Sequence, residues 1–236
     1  MFELFDALAR LVLVGRKTTE LDRTIDRMIR DRNATPTFLN YRGFPNSACI
    51  SLNDEVVHGI PDNRAIREGD LVKIDVGVTY HGYIADAART FPAGHITPAA
   101  RSLMCVTREA LKRGIAAALP GNHVGHISRA VQEHVEQHGY SVVRELTGHG
   151  VGRHLHEEPM IPNFVGDGPD PLLKPGMVLA IEPMVNAGSF EVVTETNGWT
   201  IKSRDRSLSC HFEDTIAILE HGHLNLTRVA ETNYGS

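Results

Sequence analysis

The sequence is poor in cysteine, the residue that builds disulfide frameworks and thiolate metal sites. Only three cysteines occur in 236 residues, and none forms a CxxC pair: Cys49, Cys105 and Cys210. This number and spacing indicate neither a disulfide scaffold nor a thiolate zinc site. We therefore expect the protein to work in a reducing compartment.

An excess of basic residues and long apolar runs are also missing. The formal net charge is −5 and the pI is near 6.2, which argues against nucleic acid or an anionic membrane as the main partner. No stretch approaches the roughly 18 apolar residues of a membrane span. Residues 1–14 are apolar, but Glu3, Asp6 and Arg10 interrupt them and no basic segment precedes them, so we expect no signal peptide. These absences predict a soluble, cytoplasmic protein.

What is present is enough apolar sequence for a sizeable core. The hydrophobic fraction is 42%, and the length suits one large domain or two small ones. No low-complexity segment or linker divides the chain. We therefore predict a single catalytic domain over residues 1–236.

The segment from Asp75 to Asp86 is predicted to form a β-hairpin with two carboxylates. Asp75 closes an apolar run, β-branched residues continue the strand, and Tyr80-His81-Gly82 supplies the turn. Two carboxylates in apolar sequence repel each other unless a cation or a proton compensates. A metal site is the simplest explanation, although two solvated carboxylates on an exposed hairpin would give the same local pattern.

About a hundred residues later the chain repeats this pattern. Residues 68–75 align without gaps on residues 175–182, and Asp75 and Glu182 each stand six residues after a glycine. Glu213, at the start of a second apolar run, is the expected counterpart of Asp86. We therefore predict an internal pseudo-repeat, approximately 1–95 and 96–236, that brings four carboxylates together.

Helical patterns precede the strands in both halves. Thr19-Glu20-Leu21-Asp22 has the spacing of a capping box, and a helix is predicted from there to about Asp31. Thr97-Pro98 predicts the start of a helix that ends near Pro120, and the next helix is predicted to stop at Gly139. The chain is thus predicted to be of the α+β class.

Histidines occur in two glycine-containing segments. His149 and His156 fall in the stretch 147–159, which we expect to be irregular and tightly turned because glycine admits unusual backbone conformations. This stretch lacks the strand-to-helix context of a dinucleotide fingerprint. His58, before Gly59 at the end of a predicted strand, is by itself typical of a packed or solvated histidine.

The candidate metal ligands are four carboxylates and one imidazole: Asp75, Asp86, His149, Glu182 and Glu213. This donor set suits Mn, Fe, Co or Zn, and two divalent ions would balance four carboxylate charges. Two metals roughly 3.5 to 4 Å apart are the usual hydrolytic arrangement.

Over about residues 38–219 the chain resembles the type I methionine aminopeptidases, which have the creatinase-like pita-bread fold. The motifs occur in the order of that family: Tyr41-Arg42-Gly43-Phe44-Pro45, Val57-His58-Gly59-Ile60-Pro61, Ile74-Asp75, Ala85-Asp86, Thr147-Gly148-His149-Gly150-Val151-Gly152, Leu155-His156-Glu157, Ile181-Glu182-Pro183-Met184, Gly198-Trp199-Thr200 and Phe212-Glu213. The resemblance implies two helix-plus-antiparallel-sheet halves, related by a pseudo-two-fold axis, around a dimetal site. Leu155 departs from the family, which often has an aromatic residue there.

The resemblance also implies roles for individual residues. It makes the five candidates the dimetal ligands, with Asp86 and Glu213 as bridges, and it makes His58 and His156 catalytic histidines that contact the substrate. It lines the methionine pocket with Phe38, Tyr41, Phe44, Cys49, Leu155 and Trp199. Chemically, a carboxylate beside an activated water, here Glu182, suits proton transfer, and the two histidines suit polarisation of the scissile amide.

The implied activity is removal of the N-terminal, initiator methionine from peptides or nascent proteins with a small second residue. The alternatives are an Xaa-Pro dipeptidase or aminopeptidase, which shares the five ligands but usually carries a large N-terminal domain, and a non-catalytic binding module of the same fold, which typically loses ligands. The expected partners are the N-termini of peptides and nascent chains. Association with the ribosome is compatible with this activity, and we expect neither nucleic acid nor a membrane as a partner. The expected oligomeric state is a monomer.

Overall fold

Each half of the chain places a pair of helices against antiparallel strands. The computed structural model describes residues 1–227. The helices in this part are α1 (Phe2–Leu11), α2 (Thr18–Arg30), α3 (Pro98–Ala117) and α4 (Val124–Gln137). None of these helices is both long and apolar enough to cross a membrane.

The strands are short except for one hairpin. They are β1 (Thr35–Pro36), β2 (Cys49–Leu52), β3 (Glu55–Val57), β4 (Leu71–Tyr80), β5 (Tyr83–Pro92), β6 (Ser141–Val142), β7 (Thr147–Gly150), β8 (Glu157–Pro162), β9 (Val178–Ile181), β10 (Met184–Asn186), β11 (Val192–Thr194), β12 (Ile201–Ser203), β13 (Ser209–His211), β14 (Asp214–Ile218) and β15 (His223–Asn225). In the first half β1 and β2 pair with one edge of β4 and β5 with the other, and in the second half the order is β15-β14-β9-β7-β8. Two smaller sheets, β13-β10-β6 and β11-β12-β3, complete the described part.

The hairpin β4–β5 is the longest paired element, as the sequence predicts. Its register sets Gly77 opposite Asp86 and Asp75 opposite Ala88. Because residues two apart on a strand share a face, Asp75 lies on the face opposite to Ile74 and Val76. The latter two side chains are fully buried in the core of the first half, so the carboxylate faces the second half.

The two aligned segments, residues 68–75 and 175–182, make matching backbone hydrogen bonds at their glycines. Gly69 and Gly176 both adopt left-handed conformations, with φ of 89° and 92°. The amide of Gly69 donates to Ala93 O at 2.8 Å, and the amide of Gly176 donates to Ile218 O at 2.9 Å. Each turn therefore lies just before a strand and bonds to the end of the strand that pairs with it. The turn at Gly69 leads into β4 beside the end of β5, and the turn at Gly176 leads into β9 beside the end of β14.

Two apolar cores lie between the helices and the strands. The core of the first half joins α1 and α2 to β4. It contains Leu4, Phe5, Leu8, Leu21, Ile25 and Ile29 of the helices and Val72, Ile74 and Val76 of the strand. The core of the second half joins α3 and α4 to β9 and β14, and it contains Leu103, Ala110, Val131 and Val135 of the helices and Leu179, Ile181 and Ile216 of the strands. Helices on one face of antiparallel sheets, duplicated about the centre, confirm the predicted α+β, pita-bread architecture.

Two local expectations need correction at the N-terminal end. Helix α1 is absent from the sequence prediction, which treated residues 1–14 only as an interrupted apolar stretch. The predicted capping box is wrong, because α2 begins at Thr18 with Lys17 as its N-cap. The Thr18 hydroxyl instead donates to Asp62 O at 3.0 Å, which ties the helix to a loop. The predicted α3 start is correct, since Thr97 Oγ1 accepts from the Ala100 amide at 3.2 Å.

Candidate metal centre and adjoining pocket

The five predicted ligands come from both halves of the chain and approach one another at the centre. Asp75 lies on β4, Asp86 on β5 and His149 on β7, while Glu182 follows β9 and Glu213 precedes β14. Ligand atoms of Asp86, His149 and Glu213 lie within 4.8 Å of one another, a spacing that can hold a metal ion. His149 Nε2 lies 3.6 Å from Glu182 Oε1 and 4.0 Å from Asp86 Oδ2.

Backbone contacts between the halves hold the two central carboxylates in place. The amide of Glu213 donates to Ala88 O at 2.9 Å, which joins β5 to the strand segment of the second half. Thr215 Oγ1 accepts from the Asp86 amide at 2.9 Å and donates to Asp86 O at 2.7 Å. Asp86 and Glu213 therefore sit on chain segments whose relative position is fixed by main-chain bonds.

His149 lies on a regular strand, which corrects the expectation of an irregular segment. It pairs with Ala180 of β9, and only the β7–β8 register shifts at His149. The strand is possible because a Cβ at Gly148 would lie 2.4 Å from Ala180 O, so the backbone approach requires glycine there. His149 Nδ1 lies 2.9 Å from Gly150 O. This contact favours a proton on Nδ1 and leaves Nε2, which faces the carboxylates, free to bind a metal.

The pKa values of the four candidate carboxylates are raised. Burial, followed by the neighbouring carboxylates, raises the pKa of Asp75 and Glu213 well above the ordinary range. Burial and the Asp86 charge raise the pKa of Glu182 in the same way, and burial raises that of Asp86 to about 6. Like charges gathered in a buried site favour either protonation or a bound cation.

The residues fit a divalent cation on a second ground. Three buried carboxylate oxygens lack a hydrogen-bond partner among the described residues: Asp75 Oδ1, Asp86 Oδ1 and Glu213 Oε1. Buried carboxylate oxygens normally accept at least one hydrogen bond. Three unsatisfied carboxylate oxygens in one cluster, with a free imidazole nitrogen beside them, match the ligand atoms that a borderline divalent metal needs.

His58 lies in a strained backbone conformation at the end of β3. Its φ is 57°, a region that non-glycine residues seldom adopt and that is concentrated at functional sites. Gly59 fixes this turn, because its amide donates to Ser51 Oγ at 3.0 Å and a Cβ there would lie 2.4 Å from Ile50 O. Burial lowers the pKa of His58 to about 4, so the ring is neutral near pH 7.

His156 follows β7 in the turn that leads to β8, where the side chain remains exposed at the site. Its ring centroid lies 4.3 Å from that of His149, and its Nδ1 lies 2.8 Å from the Tyr41 hydroxyl. Partial burial of the ring, with the neighbouring His149 and Arg42, lowers its pKa to about 4. His156 is therefore also neutral near pH 7.

The six predicted pocket residues lie in one apolar cluster beside the metal site. Phe38, Phe44, Cys49 and Leu155 are buried there, and Tyr41 and Trp199 pack against them. The rings of Phe44 and Trp199 meet edge to face with centroids 5.2 Å apart. Cys49 pairs with Asp75 in the β2–β4 register, which joins the pocket directly to the carboxylates. Sequence reasoning missed Ile60 and Ile84, which pack against the same cluster.

Sequence reasoning also missed His211. Its ring is buried, and its Nε2 lies 3.5 Å from Glu182 Oε2 without a hydrogen-bond partner in the described chain. Burial lowers the pKa of His211 to about 3. A signal was available, because His211 stands two residues before Glu213, and that spacing on a strand indicates a shared face.

Comparison with known proteins identifies similar sequences. Residues 3–220 match the model of metallopeptidase family M24. "Methionine aminopeptidase 1" of Bacillus subtilis is 47% identical over 224 residues, which cover 95% of this chain and 90% of that protein.

Solved structures of other proteins also resemble this chain. The crystal structure of methionine aminopeptidase from Rickettsia prowazekii matches with a TM-score of 0.93 and 39% identity, covering 96% of this chain and 92% of that one. The prolidase from Pyrococcus furiosus matches less well, with a TM-score of 0.76 and 26% identity, and this chain covers 62% of its length.

Proposed function

Since this chain belongs to metallopeptidase family M24, we propose that it is a metal-dependent aminopeptidase that removes the N-terminal methionine from peptides and proteins. The relatives from Bacillus subtilis and Rickettsia prowazekii carry this activity in their names, and they align with this chain over most of both lengths. The observation that carries the proposal is the cluster of Asp86, His149 and Glu213 beside the buried pocket of Phe38 and Phe44.

Membership of the family implies the use of divalent metal, and we propose two ions per chain, chosen from Co, Mn, Fe and Zn. The donor set supports this number, because four carboxylates would balance the charge of two divalent ions. The ligands would be Asp75, Asp86, His149, Glu182 and Glu213. Asp86 and Glu213 would serve both ions, as the resemblance to the family implies, and the bond from the Glu213 amide to Ala88 O joins the segments that carry them.

When bound, divalent ions supply Lewis acidity, which lowers the pKa of an attacking water toward about 7. Glu182 would accept the proton of this water and return it to the leaving amine. Its two oxygens lie 3.6 Å from His149 Nε2 and 3.5 Å from His211 Nε2, so both rings border the carboxylate.

His58 and His156 would hydrogen-bond the scissile amide and the oxyanion that forms from it. Both rings are neutral near pH 7 because their pKa values are about 4, so each can present one N–H donor. The Tyr41 hydroxyl, 2.8 Å from Nδ1 of His156, would donate to that nitrogen. The N–H of His156 would then lie on Nε2, the nitrogen available to a substrate.

The apolar cluster would hold the methionine side chain. Aromatic rings make favourable contacts with a thioether, worth about 0.3 to 1.5 kcal/mol each, and Phe44 and Trp199 supply two such rings. Burial raises the pKa of Cys49 well above its ordinary value, so the thiol stays neutral and apolar in this wall. A crowded site beside His58 and His156 would restrict the second residue to small side chains.

The proposal is tested by steady-state turnover of Met-Ala-Ser, Leu-Ala-Ser, Met-Phe-Ser and Ala-Pro peptides by the metal-reconstituted protein. We expect Met-Ala-Ser to be the preferred substrate. Preferred cleavage of Ala-Pro would instead support an Xaa-Pro dipeptidase or aminopeptidase. No cleavage of any peptide by metal-loaded, folded protein would support the non-catalytic alternative.

We also propose that residues 1–236 form one catalytic domain that works as a cytoplasmic monomer on peptide and nascent-chain N-termini. The support is the interdigitation of the two halves at the site, where ligands from both are needed. Sedimentation of the purified protein tests the monomer, and co-sedimentation with ribosomes tests association with them.

A further inference from the structure

Lys73 of β4 is a buried lysine that the metal site and the pocket do not account for. Its side chain is 1% exposed, whereas lysines are almost never fully buried unless they are paired. The neighbouring carboxylates are engaged elsewhere. Glu55 contacts Arg64 Nη1 at 2.6 Å, and Asp70 accepts from Asn53 Nδ2 at 2.8 Å. The burial of this ammonium group therefore needs another explanation.

The ammonium group contacts two backbone carbonyls from opposite halves of the chain. Lys73 Nζ donates to Asn53 O at 2.8 Å and to Ser209 O at 2.9 Å. The same Asn53 carbonyl accepts from the Ser209 amide at 2.9 Å. Lys73 thus closes a three-way junction, which we call the seam, between β4, the β2–β3 turn at Asn53 and the start of β13 at Ser209.

The seam is built rigidly on the side of the first half. Asn53 adopts a left-handed conformation with φ of 52°, which turns its carbonyl toward β13. Its side-chain oxygen accepts from the Leu71 amide at 3.0 Å, and its own amide donates to Leu71 O at 3.0 Å. Asn53 is therefore fixed to β4, and the bonds of Ser209 to Asn53 O and Lys73 Nζ join β13 to β4 directly, beside the bonds of Thr90 Oγ1 to His211 that join β13 to β5.

The seam lies next to the site along the chain. Lys73 and Asp75 share a face of β4, and two residues along a strand correspond to about 7 Å. Ser209 begins β13, the strand that carries His211 and leads directly to Glu213. A displacement of β13 relative to β4 would therefore move Glu213 and His211 relative to Asp75.

We propose that Lys73 is a positioning residue whose ammonium group holds the seam closed and thereby sets the distance between the ligands of the two halves. This inference depends on the proposed metal site. Lys73 touches neither substrate nor metal, and its role is to keep Asp75 and Glu213 at a separation that a shared cation site requires. Outer-shell partners of metal ligands typically contribute about 10- to 100-fold to metal affinity, which sets the effect expected here.

The test is titration calorimetry of Mn²⁺ into chelator-treated wild-type protein and a Lys73→Met variant, which keeps an unbranched side chain as far as Cε and removes its donors. We expect Mn²⁺ affinity to fall by about tenfold or more in the variant. Ser128→Ala is the matched control, because it also removes a buried side-chain bond to a carbonyl, Pro162 O at 2.6 Å, but within one half. We expect its Mn²⁺ affinity to stay near that of the wild type.

A second readout separates positioning from general loss of stability. Hydrogen exchange at the Ser209 amide should accelerate in Lys73→Met more than exchange in helix α4. If Lys73→Met does not fold, Lys73→Gln, whose shorter neutral side chain reaches the carbonyls less well, replaces it in both measurements.

The outcomes separate the inference from the proposed function. Wild-type Mn²⁺ affinity in the Lys73 variant, or a loss no larger than that of Ser128→Ala, would overturn the role of Lys73 and leave the metal site standing. Absence of Mn²⁺ binding by the wild-type protein would overturn the metal site itself.

Discussion

The hydroxyl of Tyr41 lies 2.8 Å from Nδ1 of His156, so a residue of the apolar pocket is bonded to a histidine of the proposed catalytic site. The two residues are 115 positions apart in the chain. The His156 ring is neutral near pH 7, and with the Tyr41 hydroxyl as donor in this contact the ring carries its proton on Nε2.

Tyr41→Phe should lower kcat for Met-Ala-Ser while leaving KM largely unchanged. The variant keeps the aromatic ring in the pocket and removes only the group that orients His156. We expect a loss of about tenfold, smaller than the roughly 10²-fold expected when a whole oxyanion donor is removed. Equal kcat in the variant and the wild type would show that the Tyr41 hydroxyl does not orient a catalytic group.

His156→Ala and Glu182→Gln should differ in metal content. His156→Ala is expected to lower turnover by roughly 10²-fold or more and to keep its metal, since the ring lies outside the ligand cluster. Glu182→Gln removes a ligand and the proton acceptor together, so both metal content and turnover should fall. Metal analysis of the two purified variants provides the check, and loss of metal from His156→Ala would place that ring among the ligands.

His211→Leu should weaken metal binding, whereas His211→Gln should weaken it less. The Nε2 of His211 faces Glu182 Oε2 at 3.5 Å, and glutamine can still offer a donor there. Loss of an outer-shell donor typically costs about 10- to 100-fold in affinity. Calorimetric titration of both variants with Mn²⁺ is the measurement. An unchanged affinity in His211→Leu would mean that Glu182 is held without this contact.

Metal should stabilise the fold, and more strongly as the pH rises. In the folded, metal-free protein, burial raises the pKa of Asp75, Glu182 and Glu213 well above the ordinary range and that of Asp86 to about 6. Groups with a raised folded-state pKa stabilise the fold below their ordinary pKa, near 4, and lose that contribution as the pH rises through the raised value.

The free energy of unfolding of the chelated, metal-free protein should therefore fall as the pH rises from about 4 to above about 6, because the raised pKa values lie in this range. Bound metal balances the carboxylates, and it adds about 2.7 kcal/mol at a hundredfold excess over Kd. Thermal melts of chelated and metal-loaded protein across this range give the test. We expect the gap in Tm to widen with pH, and a gap that is absent or narrows would argue against a shared metal site.

Gly77→Ala should impair recognition of methionine. A Cβ at this position would lie 2.6 Å from the ring of Phe38 and so push a pocket wall inward. We expect a higher KM for Met-Ala-Ser. Gly168→Ala is the control, because a Cβ there meets nothing within 4 Å. Equal KM values for both variants would mean that Phe38 does not shape the methionine pocket.

The β4–β5 hairpin and the segment that resembles its first strand could be predicted because their signals are local. An apolar run and a carboxylate at a fixed spacing after a glycine occur in both segments, and Gly69 and Gly176 make matching bonds. The ligand candidates followed from the repeat together with the family motifs, and the structure brings them together.

Features that depend on distant contacts were not predictable in this way. Lys73 stands in an apolar strand where the local pattern gives no sign of two carbonyls that arrive from residues 53 and 209. The capping box failed because α2 already begins at Thr18, and the Asp22 carboxylate accepts from the Ser47 and Ala48 amides of a distant loop rather than from the start of its own helix. Helix α1 had a helical spacing of Leu4, Phe5 and Leu8, but the charges among them obscured it.

The most direct measurement is metal content per chain, by mass spectrometry, of wild-type protein and an Asp86→Asn variant reconstituted with Mn²⁺ and then desalted. If Asp86 bridges two ions, the wild type should hold about two ions per chain and the variant should lose both together. The variant should also lose turnover of Met-Ala-Ser. A wild-type protein that cleaves this peptide at full rate without bound metal, or an Asp86→Asn variant that retains both ions, would contradict the account.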